Sequence, residues 1–312
     1  MLVILTPKCS RASVIAPNAH LPYSEKMILQ VILNIYTKGS VDERNHVKPM
    51  TKPAAAVAAA MAVLGLSAPA QAHMPYVLPT LFDVGKGDHV TVESAFAEDA
   101  FVPELAMRDA PFRLVRPDGS TAAIGAVTYL RDLSVFEADL KEDGTYRVST
   151  GQRLGRKSAM YRDGSGKWVM RGEGGQASAG VTSVAVQSAT LAEAYVTKGR
   201  QTTPALKPVG KALEIQAVTH PNGITAGSEA GFVLLFDGKP LADADVTLFR
   251  SAGVHDGRKV AAQTKSDPSG RFTLKPDDAG TYLILVRHRA EAPAGAETPW
   301  RSYTYTLSFD VA

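Results

Sequence analysis

Five histidines follow residue 72: His73, His89, His220, His255 and His288. A neutral imidazole suits nickel, cobalt, copper and zinc. His73 stands apart because of what precedes it. If the chain is cut after Ala72, His73 carries a free α-amine beside its ring. The two nitrogens can close a six-membered chelate ring on one ion without any help from folding. His220 comes next, placed before Pro221-Asn222-Gly223 at the end of a strand-like run. His288 lies between Arg287 and Arg289, and two cationic neighbours disfavour a third. His89 follows Asp88 in a turn, and His255-Asp256-Gly257 reads as a hairpin tip. No H-E-x-x-H, H-x-x-E-H or His-x-His spacing occurs, so a metal site must be assembled across the fold. The expected ligands are His73 and His220, and the expected ion is a divalent transition metal, nickel or cobalt.

Catalytic patterns are absent. There is no G-x-S-x-G elbow, no phosphate loop and no dinucleotide-binding glycine fingerprint. Carboxylate neighbours such as Glu98-Asp99 and Asp277-Asp278 fall in turns and read as solvated. The glycine-rich stretch 172–180 reads as a loop. Trp168, Trp300 and Tyr303 fall in or beside strands, where packing accounts for most aromatics. The expectation is a binding protein and not an enzyme.

The cut after Ala72 is itself a reading of residues 50–72. Met50-Thr51-Lys52 opens them, an Ala/Val/Leu/Met run follows, and Pro69-Ala70-Gln71-Ala72 closes them. A short basic start, an apolar segment and a small-x-small site together make a secretory signal peptide. Residues 1–49 are then expected to lie upstream of the true start. The alanine-rich signal points to a bacterial periplasm. The chain has 34 Lys/Arg and 31 Asp/Glu. Seven and three of these lie in residues 1–72, which leaves 27 basic and 28 acidic groups in residues 73–312. The basic balance therefore belongs to the discarded prefix, and no nucleic-acid surface is expected. Cys9, the single cysteine, also lies there, which excludes disulfides and thiolate metal sites from the remainder. No apolar run of spanning length follows Ala72, so no transmembrane segment is expected in the processed chain.

The elements that must position these histidines read as β throughout. Strand-like runs alternate with Gly, Pro, Asp and Asn turn signals. Val90-Thr91-Val92-Glu93-Ser94-Ala95-Phe96 alternates, and Asp163-Gly164-Ser165-Gly166 reads as a hairpin turn. Residues 188–195 fit helix or strand. A composition break at 199–211 reads as a linker or crossing strand. Beyond it, about seven runs, from Phe232-Val233-Leu234-Leu235 to Tyr303-Thr304-Tyr305-Thr306-Leu307, have sandwich spacing. The fold class is all-β with two β-sandwich-like units, at 73–200 and 212–312. Alternation assigns the second core to Val233, Leu235, Val246, Leu248, Phe272, Leu274, Tyr282, Ile284, Tyr305 and Leu307.

Asp237-Gly238-Lys239-Pro240-Leu241-Ala242-Asp243-Ala244-Asp245-Val246 and Ala279-Gly280-Thr281-Tyr282 resemble the carboxypeptidase-regulatory/transthyretin-like module, which implies an immunoglobulin- or transthyretin-like sandwich at 212–312. Residues 73–312 as a whole resemble a family of bacterial secreted proteins of unassigned function. The resemblance rests on His73-Met74-Pro75-Tyr76-Val77-Leu78-Pro79, Gly144-Thr145-Tyr146-Arg147-Val148, Tyr161 with Lys167-Trp168, and Leu213-Glu214-Ile215 with His220-Pro221. Tyr76 departs from it, standing where many relatives carry Trp. Members are often labelled the periplasmic component of a cobalt/nickel ABC-type uptake system. That resemblance implies metal handling and a membrane metal permease as partner; the alternative is a carbohydrate- or protein-binding module without metal.

The signal pattern yields a first prediction. Mass spectrometry of the exported protein is expected to show an N-terminus at His73, and deleting residues 1–49 is expected to leave export intact. An exported chain still starting at Met1 overturns it.

Overall fold

Two short sequences, Gly144-Thr145-Tyr146 and Gly280-Thr281-Tyr282, open matching corners in the two halves of the protein. In the first, the Tyr146 hydroxyl donates to the Glu142 carbonyl at 2.7 Å and accepts from the Glu142 amide at 2.8 Å. In the second, the Tyr282 hydroxyl donates to the Asp278 carbonyl at 2.8 Å. Each tyrosine thereby closes the turn before its strand, as a tyrosine corner does in immunoglobulin-like sandwiches. The preceding glycines have φ of +140° and +135°, which side chains rarely tolerate. At Gly144 a Cβ would also lie 2.5 Å from Cβ of Pro117.

The computed structural model describes residues 73–163, 166–170, 182–251 and 259–312. Residues 1–49 and 50–72, expected to be an upstream segment and a signal peptide, the stretch 172–180, expected to be a loop, and His255 lie outside them. Among the described residues the fold is all-β, with only the short 3₁₀ turns Pro204–Leu206 and Pro221–Gly223 besides strands. No helix among the described residues is long and apolar enough to cross a membrane.

Three sheets are stacked. The middle one has ten strands. Eight run in the order Lys259–Lys265, Asp245–Arg250, Gly280–Glu291, Trp300–Val311, Ser183–Lys198, Gly144–Ser149, Arg113–Val115 and Thr121–Ala123. The hairpin Arg153–Arg162/Trp168–Met170 joins it along Ser183–Lys198. One outer sheet holds Met74–Pro79, His89–Ala97, Ser134–Asp139 and Val127–Tyr129, with Leu105–Ala106 against His89–Ala97. The other holds Leu213–Ala217, Ala230–Phe236, Lys239–Pro240 and Arg271–Leu274.

Two sandwich-like cores lie between these layers. The N-terminal one gathers Val77, Val90, Val92, Phe136, Tyr146, Val148, Ala192 and Ala194. The C-terminal one gathers Phe232, Leu234, Val246, Leu248, Phe272, Tyr282, Ile284, Tyr305 and Leu307. Gly280–Glu291 is covered on both faces. Tyr282, Ile284 and Val286 enter the C-terminal core, while Leu283 and Leu285 meet Met74 and Tyr76. That explains its unbroken apolar run, since a strand buried on both sides has no polar face to show. Residues 188–195, ambiguous between helix and strand, lie within the strand Ser183–Lys198. It serves both cores, with Ala192, Ala194 and Val196 in one and Ala189 and Tyr195 in the other. The described residues all fall within one compact unit, Ser67–Ala312.

One assignment of the core needs correction. Val233 is only half-buried, and Leu235 is buried outside the main cluster; Phe232 and Leu234 take the core face. The run Phe232-Val233-Leu234-Leu235-Phe236 is apolar throughout, so alternation within it marks neither face. Its partners alternate clearly and decide the matter. Phe232 pairs with Ala217 and Phe272, and Leu234 with Ile215, and directly opposed residues share a face.

This register predicts an asymmetry. Leu234→Ala is expected to cost about 2–5 kcal/mol of unfolding free energy, as for other buried leucines. Val233→Ala is expected to cost about 1 kcal/mol or less. Urea denaturation of the two variants checks it, and equal losses overturn the register.

Candidate metal centre

The register of the outer sheet brings three potential ligands to one end. Met74 pairs with Ala97, so the next position outward is His73 on one strand and Glu98 on the other. On the far edge of His89–Ala97, Leu105 pairs with Phe96, which brings Glu104 to the same end. His73, Glu98 and Glu104 accordingly form a group whose ligand atoms all lie within 4.8 Å of one another. Met74, fully buried, holds His73 at the strand end. The turn between the glutamates is closed by the Val102 amide on the Asp99 carbonyl, at 3.1 Å, and the Glu104 amide on the Phe96 carbonyl, at 3.1 Å. Phe101 sits in the turn at φ +64°, costly for a bulky side chain. Its ring is held edge-on against buried Tyr76, with centroids 5.4 Å apart.

Glu104 organises the group. Its Oε1 accepts the Glu98 amide at 3.0 Å, and its Oε2 lies 2.8 Å from His73 Nε2. An ionised carboxylate only accepts, so Nε2 carries a proton. In the neutral ring the lone pair is then on Nδ1, the nitrogen that closes a chelate with the α-amine. A carboxylate behind an imidazole N–H orients the ring and raises its basicity as a ligand. All three residues are exposed, so an ion has an open approach.

His220, the other expected ligand, is not in this group. It caps the turn Pro221–Gly223, where its Nδ1 accepts the Asn222 amide at 3.2 Å. Its Nε2 lies 2.9 Å from Thr145 Oγ1 and 3.3 Å from the Thr202 carbonyl. With Nδ1 accepting and Nε2 donating, the ring keeps no lone pair for a metal. Burial pushes its pKa down. His220 is a joint between the cores, since Asn222 beside it donates to the carbonyls of Phe82 and Tyr195 at 2.8 and 3.0 Å. The residues of this group that sequence reasoning did not single out are Glu98 and Glu104. Glu98 read as a solvated turn carboxylate, and only its place opposite His73 across a strand pair marks it out.

The family is now identifiable. Residues 70–290 match the model for a domain of unknown function, DUF4198. The chain belongs to the DUF4198 family. No curated protein matches the sequence. Among solved structures, alpha-2-macroglobulin from Escherichia coli is similar at 11% identity and a TM-score of 0.20, over 78% of this chain but 16% of that one. The Yersinia pseudotuberculosis adhesin InvE is similar at 12% identity and a TM-score of 0.19, over 76% of this chain and 58% of that one. The D0-D1 domain of intimin is similar at 13% identity and a TM-score of 0.19, over 75% and 96%. Overlaps this slight carry no argument about activity, and none of these comparisons bears on cobalt or nickel transport.

The half-buried histidines set a pH dependence. Burial lowers the pKa of His220 and of His288. Below about pH 6.5 the unfolded chain takes up protons that the folded one does not, so stability falls as pH falls. His89, which Asp88 raises, slopes the other way, above about pH 6.5. The midpoint of thermal unfolding is expected to drop between about pH 7 and about pH 5, and less steeply in His220→Gln. An unchanged slope in that variant removes His220 from the account.

Proposed function

We propose that the processed protein is a periplasmic metal-handling protein that binds one late first-row divalent ion, nickel or cobalt, and presents it to a membrane permease. The observation that carries this reading is the meeting of His73, Glu98 and Glu104 at one sheet end. After cleavage the His73 α-amine and Nδ1 chelate the ion. Glu98 supplies a carboxylate oxygen, and Glu104 holds the ring through Nε2. Two nitrogens and oxygen donors suit such an ion, and nickel binds more tightly than cobalt by the usual order of affinities. The chemistry is capture and release, with no bond made or broken in a substrate. The exposure of the group favours hand-over to a partner at the surface.

A second reading is a carbohydrate- or protein-binding module. It is favoured by the aromatic pair Trp168 and Trp300, both half-buried, with centroids 5.2 Å apart. The Arg162 guanidinium lies 4.7 Å from the Trp168 ring centroid.

Titration calorimetry with nickel separates the two. Protein starting at His73 is expected to bind one ion, with affinity falling below about pH 6.5 as the imidazole protonates. One extra N-terminal residue removes the free amine from the chelate and is expected to abolish most of the binding. Glu104→Gln is expected to weaken it about 10–100-fold, as for other groups that orient a ligand. Equal binding by the extended chain, or none by either, rejects the chelate and leaves the second reading.

A further inference from the structure

A second site lies away from the sheet end, in a cavity of about 290 Å³ between Ser183–Lys198, Trp300–Val311 and the segment leading into Leu213–Ala217. That volume is near the lower bound of small-molecule pockets, roughly 300 Å³. Its wall includes Glu193 and Tyr303, each only 4% exposed. Glu193 Oε2 accepts from the Tyr305 hydroxyl at 2.8 Å and lies 3.6 Å from Arg147 Nη1. Glu193 Oε1 and the Tyr303 hydroxyl have no hydrogen-bond partner among the described residues. Neither atom is sealed from water, so in the empty cavity solvent meets both, and a ligand that displaces that water must replace its hydrogen bonds. Arg113 and Lys211 also line the cavity, and neither side chain has an ion-pair partner among the described residues. Lys211 is placed there by Glu214, whose carboxylate accepts the amides of Val209, Gly210 and Lys211 at 2.8, 2.6 and 3.1 Å. Arg147, behind Glu193, stays charged. Burial works against its charge, but the Glu193 carboxylate and the neighbouring hydroxyls outweigh it and raise its pKa.

We propose that this cavity binds a free α-amino acid. A buried carboxylate oxygen and a phenolic oxygen accept from the ligand's ammonium, and Arg113 and Lys211 take its carboxylate. Glu193 is balanced by Arg147, and Glu214, whose oxygens are taken up by three backbone amides, offsets one of the two remaining cations, so the wall keeps one net positive charge that favours a ligand with a carboxylate. The open acceptor at Glu193 favours one that also has a charged donor, since charge-assisted hydrogen bonds are the strong ones. A zwitterion meets both demands, whereas a simple carboxylate or a neutral sugar meets one or neither. The site is independent of the metal reading.

The test is calorimetry and thermal shift on protein starting at His73, in EDTA to silence metal, against the standard L-amino acids with L-lactate and acetate as controls. At least one amino acid is expected to bind and raise the unfolding midpoint, while lactate and acetate bind at least tenfold more weakly. Lys211→Ala and Arg113→Ala are each expected to weaken binding about tenfold, with a wild-type circular dichroism spectrum and a cooperative thermal transition as the check that each variant is folded. Glu193→Gln, which keeps the shape and removes the charge, is expected to abolish binding. No binding by any amino acid leaves only ordered water in the cavity and overturns the proposal. Lactate or acetate binding as tightly as an amino acid overturns it as well. So does wild-type affinity in both cation variants.

Discussion

The parallel pairing of Ser183–Lys198 with Trp300–Val311 is the constraint on which the rest of the structure depends. Parallel neighbours cannot be joined by a tight turn and need a long crossover. Here the crossover is nearly the whole C-terminal sandwich, everything between Lys198 and Trp300. The register runs from Val186 opposite Trp300 to Ala194 opposite Ser308. On its other edge the same strand pairs with Gly144–Ser149 and Arg153–Arg162. One strand thus joins the ten-stranded sheet across both halves, and the two cores share it as a wall.

That sharing explains where the polar groups are buried. A wall between two apolar cores leaves no solvent for a charged side chain, so charges there must be paired. Glu193 meets Arg147 from the neighbouring strand and Tyr305 from the parallel partner. Tyr195 OH and Arg147 Nε lie in the same cluster without a hydrogen-bond partner among the described residues. The cavity beside Glu193 opens where the chain leaves the sheet to begin Leu213–Ala217.

The group of His73, Glu98 and Glu104 follows a different logic. It stands at a sheet end, where the last paired residues hand the chain to turns. Backbone pairing carries His73, Glu98 and Glu104 to within reach of one another. Packing of Phe101 on Tyr76 holds the turn in a conformation it would not keep alone. Site geometry of this kind rests on strands and is therefore stiff, while the groups themselves remain open to water.

By itself the sequence determined the all-β class, the sandwich spacing and most of the C-terminal core. These are local properties, since alternation and turn residues are written within a few residues of where they act. Tertiary structure alone decided the core face of Ala230–Phe236, because an apolar run takes its face from its partners. It alone decided that residues 188–195 are strand, because neighbours on both edges supply the hydrogen bonds that settle the choice. It also gave both nitrogens of His220 to Asn222, Thr145 and Thr202, and set Glu98 and Glu104 beside His73 instead. Which side chains meet across strands depends on register, and register is fixed by packing between distant segments, which no local pattern records.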